Sequence, residues 1–400
     1  MIKHLLLAAF TAITASASDW PQFRGINGSA YSAEAKIPAK PKIEWSVALP
    51  GRGLSSPIIV GDKIFVTASS GPKQENLHVI CFKASDGSKV WERQLKATGR
   101  TMSHPKTSVA APSPCSDGKH VFAIWSCNDL VAFDLEGNLL WLRGLTADYP
   151  NVSNSLGMAS SPLLVGDALI VPVENDSESY TLSIDVKTGR NLWKLERPKA
   201  ANWSSPISWQ DKTGKLMAVL QSKNGLLGVD AITGSHLWEY TGGASTTASS
   251  VAGKETIFAS SHGITAIQPS NTGEAPKQVW NSPQLNPGTA SPVLVGDSVF
   301  VLNNAGVLVK AGTKAAEKGW KLRLTGPFSA SPVAAGRNIV TVNENGLVQI
   351  VDVDAPEGAI SATLDLKDKL VEKELVLSTP SLSGNHIFIR SDHNLWKIGE

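Results

Sequence analysis

Ser56-Pro57-Ile58-Ile59-Val60-Gly61-Asp62-Lys63-Ile64-Phe65-Val66 reads as a short strand, a tight turn and a second strand. The proline stands at the strand start, where a missing N–H is tolerated. Gly61-Asp62 supplies the turn, and β-branched and aromatic residues follow it. The same phrase returns along the chain. It is found as Ser113-Pro114 with Gly118, Ser161-Pro162 with Gly166, Ser291-Pro292 with Gly296, Ser331-Pro332 with Gly336 and Thr379-Pro380 with Gly384. Ser205-Pro206 keeps the start but has a longer turn, and Ser249 with Gly253 lacks the proline.

The anchors fall at 57, 114, 162, 206, 249, 292, 332 and 380. A period of roughly 40 to 50 residues with short strands in each unit is the mark of propeller blades. No 3.6-residue apolar pattern supports helical repeats. Each unit divides into strands A to D. A second glycine turn joins C to D, and a tryptophan follows on D, as in Gly87 with Trp91, Gly137 with Trp141, Gly189 with Trp193 and Gly234 with Trp238. The seventh unit has no tryptophan there.

The two ends are complementary. The last unit stops after Leu395-Trp396-Lys397-Ile398, its strand C, and Ile43–Leu49 reads as an orphan strand D. Joining them closes the ring without an open edge. The expectation is an all-β, eight-bladed propeller of four-stranded antiparallel blades over residues 43–400, with residues 19–42 as a leader outside the ring.

Residues 1–18 read as a signal peptide: basic Lys3 and His4, apolar Leu5 to Ala15, then Ala15-Ser16-Ala17 as a small-residue cleavage site. The expected location is periplasmic or secreted, with no transmembrane segment and no lipid-anchor cysteine. Cys81, Cys115 and Cys127 match no zinc spacing and are expected to form no disulfide. A hairpin at Asp117-Gly118 sets Cys115 opposite His120. Lys and Arg total 37 against 35 Asp and Glu, which argues against a nucleic-acid partner held by phosphate contacts. A monomer is expected.

Asp185-Val186-Lys187-Thr188-Gly189-Arg190-Asn191-Leu192-Trp193 and Asp230-Ala231-Ile232-Thr233-Gly234-Ser235-His236-Leu237-Trp238 resemble the tryptophan-docking motif D-x-x-T-G-x-x-x-W of pyrroloquinoline-quinone (PQQ) type propellers. The leader start Asp19-Trp20-Pro21-Gln22-Phe23-Arg24-Gly25 resembles that of secreted bacterial PQQ-like propellers of unknown role. The resemblance implies that Trp91, Trp141, Trp193 and Trp238 are structural staples between neighbouring blades. In the enzymes of this superfamily it also implies PQQ with a Ca²⁺ ion and a catalytic aspartate, and in many a disulfide between adjacent cysteines. This chain has no Cys-Cys pair, and no motif assigns Ca²⁺ ligands or a catalytic residue. Asp352-Val353-Asp354 with Glu357 lacks the spacing of a calcium loop. No nucleophile elbow, phosphate loop or H-E-x-x-H is present.

The D–A connections and B–C turns share one face of such a ring, and they hold the long, polar segments. Candidate ligand-binding residues there are His104, Lys106, Asn128, Asp129, Asn154, Asn175, Trp203 and His262. The connections 98–111 and 145–160 are long enough to carry function. The favoured expectation is a non-catalytic scaffold binding an unknown protein or small polar ligand at this face, without cofactor or metal. The alternatives are a small PQQ-dependent oxidoreductase and a carbohydrate-binding or carbohydrate-active propeller, in which Trp203 would stack on a ring.

Overall fold

The protein is described by a computed structural model, which covers residues 19–153, 156–270 and 273–400. The expected signal peptide and Asn154 lie outside the described residues.

Eight blades of four antiparallel strands form the ring, and a short parallel strand, Tyr31–Ser32, adds to the sheet of blade 7. Blade 1 shows the pattern, with A, Ile58–Val60; B, Lys63–Ser70; C, Asn76–Lys83; and D, Lys89–Lys96. Strands B and C are sandwiched by the neighbouring blades, so their apolar runs are buried on both faces. Strand D lies at the rim and alternates with solvent. The closure read from the ends is present. Lys42–Ala48 pairs antiparallel with Asn394–Gly399, with Ile43 opposite Ile398 and Ser46 opposite Trp396.

The repeated Ser-Pro phrase has a physical reason. From Ser113 to Thr379, each anchor hydroxyl accepts the backbone N–H of the anchor one blade earlier. Ser56 N donates to Ser113 Oγ at 2.7 Å, Ser113 to Ser161 at 3.0 Å, and Ser161 to Ser205 at 2.9 Å. Ser205 continues to Ser249, Ser249 to Ser291 and Ser291 to Ser331, each at 2.9 Å, and Ser331 ends on Thr379 Oγ1 at 3.0 Å. The chain of bonds thus runs from blade 1 to blade 8 around the axis. Buried N–H groups at the strand starts are satisfied by the next blade and not by solvent.

Tryptophans staple the rim. Trp91 Nε1 donates to Leu135 O, Trp141 to Val186 O and Trp193 to Ala231 O, all at 3.0 Å. Trp45 and Trp280 do the same toward Ala84 O and Thr313 O. Each of the first three indoles lies flat on the C–D turn glycine of the next blade. A Cβ on Gly137, where φ is +84°, would stand 2.7 Å from Trp91, so the seat admits only glycine. Trp238 departs from the staple expected of it. Its Nε1 meets Met217 Sδ at 3.2 Å within its own blade, and the ring covers Gly228. Gly273 of blade 5 accordingly carries no indole, its nearest neighbour being Leu237 O at 4.0 Å, and the Trp238 ring fills the space over Gly228.

Apart from the two-residue strand Tyr31–Ser32, the leader supplies no strand to a blade, and it lies on the axis and not outside the ring as expected. It touches the inner strand or A–B turn of every blade in turn. Trp20 bridges Ile59, Pro21 O accepts Ser116 N, and Gln22 Oε1 accepts Leu164 N. Asn27 Oδ1 accepts Ser208 Oγ, and Arg24 donates to Ser250 O at 3.0 Å and to Pro292 O. Ala30 O accepts Ala334 N, Tyr31–Ser32 pairs in parallel with blade 7, and Lys36 N donates to Gly384 O. Trp20, Arg24 and Ala30 are buried by these contacts. The contacts with the A–B turns at Gly61 and Gly384 put the leader at the tight-turn face.

The three cysteines are buried and free. Cys115 faces Phe122, not His120, because the turn is wider than a two-residue hairpin: Asp117 Oδ1 caps the Lys119 and His120 N–H groups. Burial pushes the Cys81 thiol up to about 12 and the Cys115 and Cys127 thiols well above their ordinary range.

Candidate functional site

The loop-rich face is built from connections that hold one another. His104 N donates to Leu156 O at 2.8 Å, tying 98–111 to 145–160. Trp203 Nε1 donates to Gly157 O at 2.9 Å, tying the third connection to the second. The B–C turn carboxylates fasten these loops from below. Asp129 accepts Thr98 N at 2.9 Å and Thr98 Oγ1 at 2.5 Å. Glu174 binds Arg197 Nε at 2.8 Å and Asn202 Nδ2 at 2.9 Å, all three side chains being buried. That network sits one residue from Trp203 and fixes its loop.

The candidate residues therefore divide. Asp129, Asn128 and Asn175 are buried and serve turns. Asn128 holds a positive φ of 67°, and Asn175 Oδ1 accepts Ser153 and Ser177 N–H groups. Asn and Asp suit such turns because their side chains bond nearby backbone. Lys106 reaches from the first connection to the buried Glu344 of blade 7, Nζ to Oε1 at 2.7 Å. His104 and His262 are exposed and Trp203 is half-buried. Trp203, His104 and Lys106 do not converge on a common point through any bond with one another. They lie along a surface on which Met102 is 48% and Leu156 44% exposed.

Sequence reasoning missed the acid–base partners, namely Glu344 for Lys106, Arg197 for Glu174 and the Arg52–Asp392 pair at 3.3 Å. These partners are 238, 23 and 340 residues apart in sequence, and only ring closure brings the first and last together. Two cavities of about 510 and 490 Å³ open on the opposite, tight-turn face, the first between leader residues such as Ile26 and Tyr31 and blade residues Trp209 and Lys254.

The match to a known family covers most of the ring. The family described as outer membrane protein assembly factor BamB, built on PQQ-type repeats, matches residues 38–165, 151–286 and 260–365. The chain belongs to this PQQ-like repeat family. It thereby falls in the quinoprotein alcohol dehydrogenase-like superfamily. A polyvinylalcohol dehydrogenase of a Pseudomonas species is 26% identical over 168 residues, which are 38% of this chain and 24% of that enzyme. The polyvinylalcohol dehydrogenase of Sphingopyxis sp. (strain 113P3) is 26% identical over 175 residues, 40% of this chain and 24% of the enzyme. The chain thus aligns with about a quarter of the length of these relatives. Among solved structures, BamB from Moraxella catarrhalis superposes with a TM-score of 0.63 at 16% identity, covering 90% of this chain and 98% of that one. A europium-containing methanol dehydrogenase gives 0.70 at 11%, covering 96% and 98%. The quinohemoprotein alcohol dehydrogenase from Comamonas testosteroni gives 0.69 at 13%, covering 98% and 82%. At such identities the likeness is one of fold.

The PQQ enzymes raise the question of a Ca²⁺ ion, which needs several oxygens converging. Among the described residues, no three His, Cys, Asp or Glu side chains come together as a metal site. Asp129, Glu174, Glu344 and Asp392 are each engaged by Thr98, Arg197, Lys106 and Arg52. The guanidinium of Arg24 is also buried against the inner strands, where it repels a cation. A Ca²⁺ ion at any of these carboxylates would have to displace the partner already bound there.

Proposed function

We propose that the protein is an exported propeller whose loop-rich face holds a protein partner. The observation that carries this reading is the stitching of three successive connections into one surface, through His104 to Leu156 and Trp203 to Gly157. That surface displays Met102 and Leu156 beside the half-buried Trp203, among the charged Arg100 and Lys106. Apolar anchors within a polar rim suit a protein interface better than a deep small-molecule pocket. The expected signal peptide and the likeness to BamB support an exported scaffold. The test is a photo-crosslinking residue placed at Met102, with a control at Lys212 on the tight-turn face. A discrete adduct from position 102 alone supports the reading, and equal or absent crosslinking from both rejects it.

The second reading, a PQQ-dependent oxidoreductase, rests on the aligned polyvinylalcohol dehydrogenases. Titration with PQQ and Ca²⁺, following tryptophan fluorescence and dye reduction with alcohols, decides it. Saturable quenching with substrate-dependent reduction establishes the enzyme, and a flat response removes it.

A further inference from the structure

Blade 1 carries a side-chain relay that no short motif announces. Ser70 Oγ lies 2.8 Å from His78 Nε2, and His78 Nδ1 lies 2.8 Å from Glu92 Oε1. The three residues come from strands B, C and D. Alternation puts them on one face of the blade, the face whose Ile64, Val66, Ile80 and Phe82 pack toward blade 8. His78 is 3% exposed, so its ring orientation is held by packing.

The carboxylate sets the tautomer. Burial alone would raise the Glu92 carboxyl, but bonds from Lys89 and His78 outweigh it and hold it below its ordinary value. Lys89 Nζ occupies the other oxygen at 2.8 Å. An ionised carboxylate only accepts hydrogen bonds, so His78 Nδ1 carries the proton that faces it. In that tautomer Nε2 has its lone pair toward the Ser70 hydroxyl. Ser70 is half-buried at the loop-face end of strand B, just before Gly71. The connection from blade 8 passes beside it as Gly51. A Cβ there would collide with Ser69 O and stand 3.0 Å from Ser70 Cβ, so glycine is what lets this connection run against the end of strand B.

We propose that Ser70 is a nucleophile activated by His78 and oriented through Glu92, acting on small carboxylic esters at the loop face between blades 8 and 1. This is independent of the partner surface. Ser70 Oγ bonds to the ester carbonyl carbon as its proton passes to His78 Nε2. The bond to the alcohol oxygen then breaks, and that oxygen takes the proton from His78. A water attacks the acyl-serine by the same route, its proton passing through His78 back to Ser70, and the carboxylic acid leaves.

A fluorophosphonate reagent tests this on the full chain, since Ser70 Oγ would displace fluoride and keep the phosphonyl group. The expected result is one adduct per chain on Ser70 by mass spectrometry, and none in Ser70→Ala at an unchanged melting temperature. His78→Gln should slow labelling by about a hundredfold or more, the usual share of a general base. Glu92→Gln should slow it by about tenfold or more and serves if His78→Gln fails to fold. Hydrolysis of p-nitrophenyl acetate should disappear in Ser70→Ala. No adduct, an adduct on another residue, or equal labelling of Ser70→Ala overturns the proposal.

Discussion

Ser113 Oγ accepts the backbone N–H of Ser56 at 2.7 Å, and this bond begins the hydroxyl chain that links all eight blades. The chain is asymmetric. Ser56 Oγ itself is buried with no hydrogen-bond partner among the described residues. Ser205→Ala would leave the buried Ser161 N–H without an acceptor, at a cost of about 1–3 kcal/mol. Ser56→Ala removes a hydroxyl that satisfies nothing and should be neutral or slightly stabilising. Ser205→Thr should be tolerated, because Thr379 already serves in blade 8. Urea unfolding of the three variants checks the order.

The indoles differ in the same way. Trp141→Phe deprives Val186 O of its donor while keeping an aromatic ring, and should lower stability by about 1–3 kcal/mol. Trp320 Nε1 is buried and without a partner among the described residues. Trp320→Phe should therefore cost less than Trp141→Phe in the same melts. A larger loss at Trp320 would mean that ring area, not the carbonyl bond, governs the staples.

The leader is part of the core, since Trp20 is 1% exposed and packs on Gly25. Trp20→Ala should cost about 3–5 kcal/mol, the range for a buried aromatic. Limited proteolysis should then cut between residues 19 and 42 before any blade. If the variant melts like the parent protein, the leader is only draped over the axis.

Acid should loosen the C–D turns. Thr188 Oγ1 and N–H groups bond Asp185 and hold its carboxyl below the usual value of 3.8. A carboxyl whose folded value is depressed contributes stability that is present above its unfolded value and lost as pH falls through the folded one. The melting temperature should thus fall below about pH 4. Asp185→Asn, which cannot titrate, should start lower at pH 7 and lose less between about pH 5 and 3. Differential scanning calorimetry across that range reads both.

The period, the blade count and the closing strand were legible in the sequence because each is local. Gly61 and Gly137 mark turns, Pro57 marks a strand start, and the pairing of Ile43–Leu49 with Leu395–Ile398 needs only an unfinished unit at each end. Asn128, Asp129 and Asn175 were found as loop-face residues, yet what they touch was not written in their spacing. Tertiary structure alone decided that Asp129 clamps Thr98, that Lys106 reaches Glu344, that Arg24 lies against the inner strands and that Trp238 turns back on its own blade. The physical reason is the ring. A blade is specified by residues a turn or a strand apart, but its neighbours are set by the turn-by-turn rotation of the whole chain. That rotation brings Lys106 to Glu344 and Arg52 to Asp392, each pair more than two hundred residues apart, whereas Ser70, His78 and Glu92 meet within one blade.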